Sequence, residues 1–172
     1  MYLHPNTIVH RVAKDIPAEI GVMFNPLGAG VKWAVDVGGT KLGDTVVVFG
    51  AGQRGLACTI AAKAVGAKAV IITDVAAVQH KLALAQEFGA DHMIVADEEN
   101  VVDRVREITQ GAFADVVVDV SAYATQPVID AVEVVKPRGT IVLAGIKGAN
   151  RTIPDFVSDK VVMKSITIKG VF

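Results

Sequence analysis

The chain has 172 residues, 52% of them hydrophobic and 20% charged, with a formal net charge of −1. That composition excludes a disordered chain, and the near-neutral balance argues against a nucleic-acid grip, which needs a basic face. The single cysteine, Cys58, excludes an internal disulfide framework and a multi-cysteine zinc cluster.

In chain order, the first elements do not follow a simple alternation. His4-Pro5 and Ile16-Pro17 read as extended connectors, and Arg11, Lys14, Asp15 and Glu19 interrupt any signal-peptide pattern. Residues 18–37 have a helical pattern that contains Asn25-Pro26. A proline inside a helix costs about 3 kcal/mol or more, so two helices meeting at that point are expected, packed as a cover on the sheet edge. From Asp44 the pattern changes. Short β-branched runs at Thr45–Phe49, Ala69–Thr73, His92–Val95, Val116–Asp119, Thr140–Leu143 and Ser165–Lys169 alternate with helical stretches. Four of these runs are nearly continuously apolar, as a parallel sheet covered on both faces requires; the third is weaker and reads as a short strand. Between them, Leu56 to Val65 reads as an alanine-rich helix. Val78, Leu82 and Ala85 form one helical stripe, ending at Phe88 before Gly89. Val101, Val105 and Ile108 form a second, preceded by Asp97, Glu98 and Glu99 at the positive end of the helix dipole. Val128, Val132 and Val135 form a third, with Thr125 as N-cap and Pro137 beyond the end. Strand and helix at this spacing predict right-handed βαβ units: an α/β, doubly wound parallel sheet, a Rossmann fold with a helical lead-in. No run of about 18 uncharged apolar residues is present to cross a bilayer, and a cytoplasmic protein is expected.

The first strand runs directly into Gly50-Ala51-Gly52-Gln53-Arg54-Gly55. Gly50 permits the tight turn, Gly52 lets a pyrophosphate approach the backbone, and Gly55 lets the helix pack closely. The helix N-terminus offers free N–H groups and roughly half a positive charge to phosphates. About 20 residues on stands Asp74, where a carboxylate accepts hydrogen bonds from the adenosine ribose hydroxyls. It would repel a 2′-phosphate, and Val75, Ala76 and Ala77 follow it with no arginine, so NAD is expected over NADP. A helix-capping role is the plainer alternative for Asp74. Arg54 stands where an apolar residue is usual. Its guanidinium either touches the pyrophosphate or faces solvent on the first helical turn.

Other chemistries find little support. His4, His10, His80 and His92 have no metal-ligand spacing, and Cys58 sits in a helix as a small buried residue. No GxxxxGK[ST] stretch occurs, and Tyr123 is followed four places on by Pro127 rather than lysine.

With these elements placed, the chain resembles the medium-chain dehydrogenase/reductase family, the zinc-type alcohol and polyol dehydrogenases. The marks run from Lys41-Leu-Gly-Asp-Thr through the glycine turn to Gly55. They continue with Ala62-Lys-Ala-Val-Gly-Ala, Ala85-Gln-Glu-Phe-Gly-Ala-Asp, residues 115–121, Lys136-Pro-Arg-Gly-Thr and Ile168-Lys-Gly. The resemblance implies that Ala144, Gly145 and Ile146 hold the nicotinamide carboxamide through backbone groups. It implies that Val171 and Phe172 close that pocket and that Val120 and Ser121 form a wall near the adenosine. With Gly50, Gly52, Gln53, Arg54, Gly55 and Asp74 these make the expected NAD-binding set; no catalytic residue is assigned. The family carries most zinc ligands and its proton relay on a separate N-terminal domain. Residues 1–42 are therefore expected to be a lead-in from that domain, with residues 1–3 its last trace, plus the helix pair. Residues 43–172 are expected to be the NAD-binding domain. One departure stands at Phe24-Asn25-Pro26-Leu27, where the polyol branch has a zinc-binding acid. A neutral amide is a poor zinc ligand, so zinc belongs at most to a full-length parent and not to this chain.

The leading expectation is the coenzyme domain of an NAD-dependent alcohol dehydrogenase-like oxidoreductase, inactive as an isolated fragment. Its expected partners are NAD(H), a small alcohol or carbonyl substrate in the full-length enzyme, and further copies in a homo-oligomer, without nucleic acid or membrane. The alternative is a regulatory NAD(H)-sensing Rossmann module without chemistry. An S-adenosylmethionine methyltransferase also pairs a glycine loop with an acid, but usually lacks the third glycine.

Overall fold

The computed structural model describes residues 2–172, so the part of the expected lead-in that falls on Met1 lies outside the described residues. Six strands form one wholly parallel sheet in the order β3-β2-β1-β4-β5-β6. They are β1 (Thr45–Phe49), β2 (Ala69–Asp74), β3 (His92–Val95), β4 (Ala114–Asp119), β5 (Val135–Leu143) and β6 (Thr167–Gly170). The strand order reverses between β1 and β4, which opens a crevice at their carboxyl ends. Central strands are buried on both faces, whereas β3 and β6 at the edges are largely open. That difference accounts for the continuous apolar runs of the middle strands and the weaker pattern of the third.

Successive strand side chains alternate between two cores. On one face Val46, Val48, Val70 and Ile72 pack beneath α3 (Gln53–Ala64) and α4 (Gln79–Glu87), together with Trp33 and Ala34. On the other, Val47, Phe49, Ile71 and Ile141 pack with α5 (Val101–Ile108) and α6 (Gln126–Val134). Asn100 caps α5 by accepting from the Asp103 N–H at 3.0 Å. Thr125 occupies the N-cap position of α6, but its side chain makes no capping bond. The far end of α6 is held instead by Lys164, whose ammonium donates to the carbonyls of Val132, Glu133 and Val135 at 2.7, 2.9 and 3.0 Å.

Several boundaries differ from the sequence pattern. The lead-in helices are α1 (Ala18–Gly21) and α2 (Phe24–Gly30), and they part at Val22 and Met23, not at Pro26. Pro26 sits in the first turn of α2, where a missing N–H leaves no bond unmade. From Val31 to Val37 the same rod continues as π-helix. The glycine-turn helix starts at Gln53, three residues before the apolar run begins, because Gly52 takes the N-cap position. Val135, expected on the third helical stripe, is the first residue of β5 and pairs with Ala114. The helix α7 (Ser158–Lys164) had no clear periodic signal; it ends at Ser165 in left-handed backbone (φ 54°), so β6 begins at Thr167.

Candidate functional site

The carboxyl ends of β1, β2, β4 and β5 bring most of the expected site residues to one rim. Gly50 leaves β1 with φ +103°, a conformation open to glycine, and its N–H donates to the Thr73 carbonyl at 2.8 Å. A Cβ on Gly55 would collide with the carbonyl oxygen of Gly50, so only glycine lets α3 start this close to the turn. A Cβ on Gly52 would meet nothing within 4 Å, which leaves open space directly in front of the α3 N-terminus. Gln53 is exposed on the first turn.

Asp74 stands half-buried at the end of β2. Its carboxylate accepts the Ala51 N–H at 2.6 Å and the Val75 N–H at 2.8 Å. It therefore fastens the glycine turn rather than capping the following helix, and both partners are backbone groups at the rim.

On the far side of the crevice, Ala144 and Gly145 both donate their N–H groups to the Asp119 carbonyl at 2.9 Å. A Cβ on Gly145 would strike the Ser121 carbonyl oxygen, so the β4 and β5 turns are in close backbone contact. Val171 donates to the Leu143 carbonyl at 3.1 Å, which places the end of β6 against the same rim. A cleft of about 320 Å³ opens here. Arg54, Val120, Ala144, Gly145, Ile146 and Phe172, all expected site residues, line it with Trp33, Ala122 and Tyr123. Ser121 lies behind this wall, and Val171 packs against the core instead.

Arg54 is exposed on the first turn of α3, yet it has a neighbour. Its guanidinium lies over the Trp33 indole, 5.3 Å from the ring centroid, while Trp33 is 5% exposed. The stacked pair separates the cleft from a neighbouring one lined by Asn25, Gly28 and Lys32.

A second group escaped the sequence reading. Asp119, fully buried at the end of β4, pairs with Lys147 at 2.7 Å. The Ser121 hydroxyl donates to Asp119 at 2.6 Å, and its N–H donates to the same oxygen at 3.0 Å. The Lys147 ammonium also donates to the Ser121 carbonyl and hydroxyl at 2.7 and 2.9 Å. The pair thus locks the turn after β4 to the turn after β5. The available signal was an acid closing an apolar strand, but nothing in the sequence tied it to a lysine 28 positions away.

Among the described residues no three His, Cys, Asp or Glu side chains come close enough to hold a metal ion. The four histidines are exposed, as are Glu19 and Asn25. Burial pushes the Cys58 thiol up to about 12, so it holds its proton and is a core residue rather than a nucleophile. Nor is any helix among the described residues long and apolar enough to cross a membrane.

Residues 54–172 match the family model described as zinc-binding dehydrogenase. The chain belongs to this family. It is the coenzyme-binding part of a medium-chain dehydrogenase/reductase. It is 42% identical over 170 residues to a Mycobacterium tuberculosis protein described as a probable alcohol dehydrogenase, covering 98% of this chain and 46% of that protein. The benzyl alcohol dehydrogenase of Acinetobacter calcoaceticus superposes with a TM-score of 0.81 at 27% identity, over 94% of this chain and 43% of that one. A Sinorhizobium meliloti protein assigned to the zinc-binding dehydrogenases and solved with NADP bound superposes at 0.76 with 26% identity, over 86% and 42% of the two chains. The chain thus spans about half the length of the relatives it matches. The family name implies zinc, but the donor set of the described residues does not fit one.

Proposed function

We propose that this chain is the coenzyme-binding half of an NAD-dependent alcohol dehydrogenase-like oxidoreductase and is inactive alone. The observation that carries the reading is the convergence, at the switch point of the sheet, of the glycine turn, Asp74 and the cleft bordered by Ala144–Ile146. The residues fit a dinucleotide. The open space over Gly52 and the N–H groups of α3 suit a pyrophosphate, and Asp74 is hydrogen-bonded to the same turn at Ala51. Bound NAD would supply the hydride acceptor for an alcohol, or as NADH the donor to a carbonyl. Asp74 would exchange a backbone partner for the ribose hydroxyls and repel a 2′-phosphate. Val120 and Ser121 would border the adenosine side, while the Ala144–Ile146 backbone, Val171 and Phe172 would bound the nicotinamide. Gln53, exposed beside the turn, is the weakest member of this set.

Residues 1–42 are read as the lead-in from a catalytic domain plus the helix pair, and residues 43–172 as the NAD-binding domain. The open surface of residues 2–20 and the partial coverage of relatives support this. Substrate, proton relay and any zinc would come from that other domain, with further copies of the enzyme as partners. On this reading the group that orients an alcohol against the cofactor lies on that other domain, which is why the isolated chain is inactive.

Since a structural neighbour carries NADP, the choice of cofactor is decided locally. Calorimetry with both dinucleotides tests it. NAD should bind more tightly, and Asp74→Ala should shrink the preference by about ten- to a hundredfold, the worth of charge-assisted hydrogen bonds. An unchanged ratio refutes the ribose role, and alcohol-dependent NADH formation by the purified chain refutes its inactivity.

A further inference from the structure

We propose that Arg54 gives the cleft at the β4 and β5 turns a preference for the reduced nicotinamide, NADH, over the oxidised NAD+. This rests on the dinucleotide reading above and adds a specific role for a residue that the glycine turn itself does not need. The two redox forms share every group except the ring. Oxidised, the ring is a pyridinium carrying one positive charge; reduced, it is neutral. A cation fixed in the ring's wall therefore acts on one form only.

Three observations put such a cation there. Arg54 lines the same cleft as Ala144, Gly145 and Ile146. Its guanidinium is held by the face of Trp33, whose burial in the core makes the platform rigid. No acid neutralises it: among the described residues Arg54 takes part in no ion pair. Asp119, behind the cleft wall, is already matched by Lys147, and both oxygens of Asp74 are engaged by backbone N–H groups. Lys32, lining the adjoining cleft, adds charge of the same sign. An apolar residue at position 54 would add no repulsion of this kind. By linkage, a tenfold preference for NADH makes the bound couple, NAD+ + H+ + 2 e− → NADH, easier to reduce by about 30 mV.

The competing role is a phosphate contact, and ADP-ribose, which has the pyrophosphate but no nicotinamide, separates the two. Calorimetry would compare NAD+, NADH and ADP-ribose on the chain and on Arg54→Met and Arg54→Lys, with Trp33 emission as a second readout. The chain should bind NADH about five- to tenfold more tightly than NAD+, as expected for like charges at a partly solvated site. Arg54→Met should tighten NAD+ by about three- to tenfold and leave NADH and ADP-ribose within about twofold, while Arg54→Lys keeps most of the preference. If Arg54→Met weakens all three ligands alike, the guanidinium serves the phosphates and the proposal falls. It falls equally if the ratio of NAD+ to NADH affinity does not move. Binding of none of the three by the unaltered chain would mean that the dinucleotide reading had failed, and this inference with it.

Discussion

Two central strands of the sheet, β2 and β4, both end in an aspartate at the same rim, and the two acids are used in opposite ways. Asp74 is half-buried and holds only the backbone N–H groups of Ala51 and Val75. Asp119 is fully buried and spends its charge on Lys147 while Ser121 donates to it twice. An acid whose partners are rim N–H groups can trade one for a ligand hydroxyl at little cost. One locked to a buried ammonium cannot, because separating the pair leaves an uncompensated charge away from water. The β2 end is therefore free to exchange a partner, whereas the β4 end holds two turns in register. Lys147→Met should expose this difference most strongly. It should destabilise the fold by about 3–5 kcal/mol in urea titration, the usual consequence of removing one partner of a buried pair. Asp74→Ala should cost less, about 1–2 kcal/mol, since of the two N–H groups it leaves only that of Ala51 is buried while that of Val75 lies near solvent. Equal losses for the two variants would erase the distinction.

Only the first of these acids was legible in the sequence. Asp74 follows an apolar strand at a set distance from a glycine turn, so local spacing alone singles it out as a candidate. Asp119 closes an equally apolar strand, but its meaning depends on Lys147, which approaches only after α6 and β5 have folded back. The fold followed the same rule. Four continuous apolar runs gave the buried strands, since period and burial are local. The π-helical turn and the placement of Val135 depend on tertiary contacts, and these the pattern missed. Trp33 belongs with them: its helix was expected as a cover, yet its indole became the platform for Arg54 at the cleft.

The glycines offer a second, smaller test of the same contrast. Gly145→Ala forces a methyl group onto the Ser121 carbonyl, in the half of the rim held rigid by Asp119 and Lys147. Overpacking of this kind costs about 1–3 kcal/mol. Gly52→Ala adds its methyl to open space, so its cost should be only that of a poorer N-cap, about 1 kcal/mol or less. The same methyl stands where a pyrophosphate would approach, so NAD affinity should fall while the melting curve moves little. A large loss of stability in Gly52→Ala would show that the turn is as tightly determined as the β4 side.

Ser121→Ala is the finest probe of how the rigid half is built. The hydroxyl donates to Asp119 and accepts from Lys147, so its removal deletes two contacts within the pair's own network. The Ser121 N–H still reaches the same Asp119 oxygen, and the Ser121 carbonyl still receives the ammonium. Because no charge is stranded and each ion keeps a backbone partner, the loss should be about 1–2 kcal/mol, well below that of Lys147→Met. The two substitutions should also fail to add. Once Lys147 is gone, the hydroxyl has only one of its two partners left, so Ser121→Ala in the Lys147→Met background should cost less than it does alone. A double-mutant cycle measures this coupling directly. Strict additivity would mean that serine and lysine act on Asp119 independently, and that the clamp between the β4 and β5 turns is the ion pair alone.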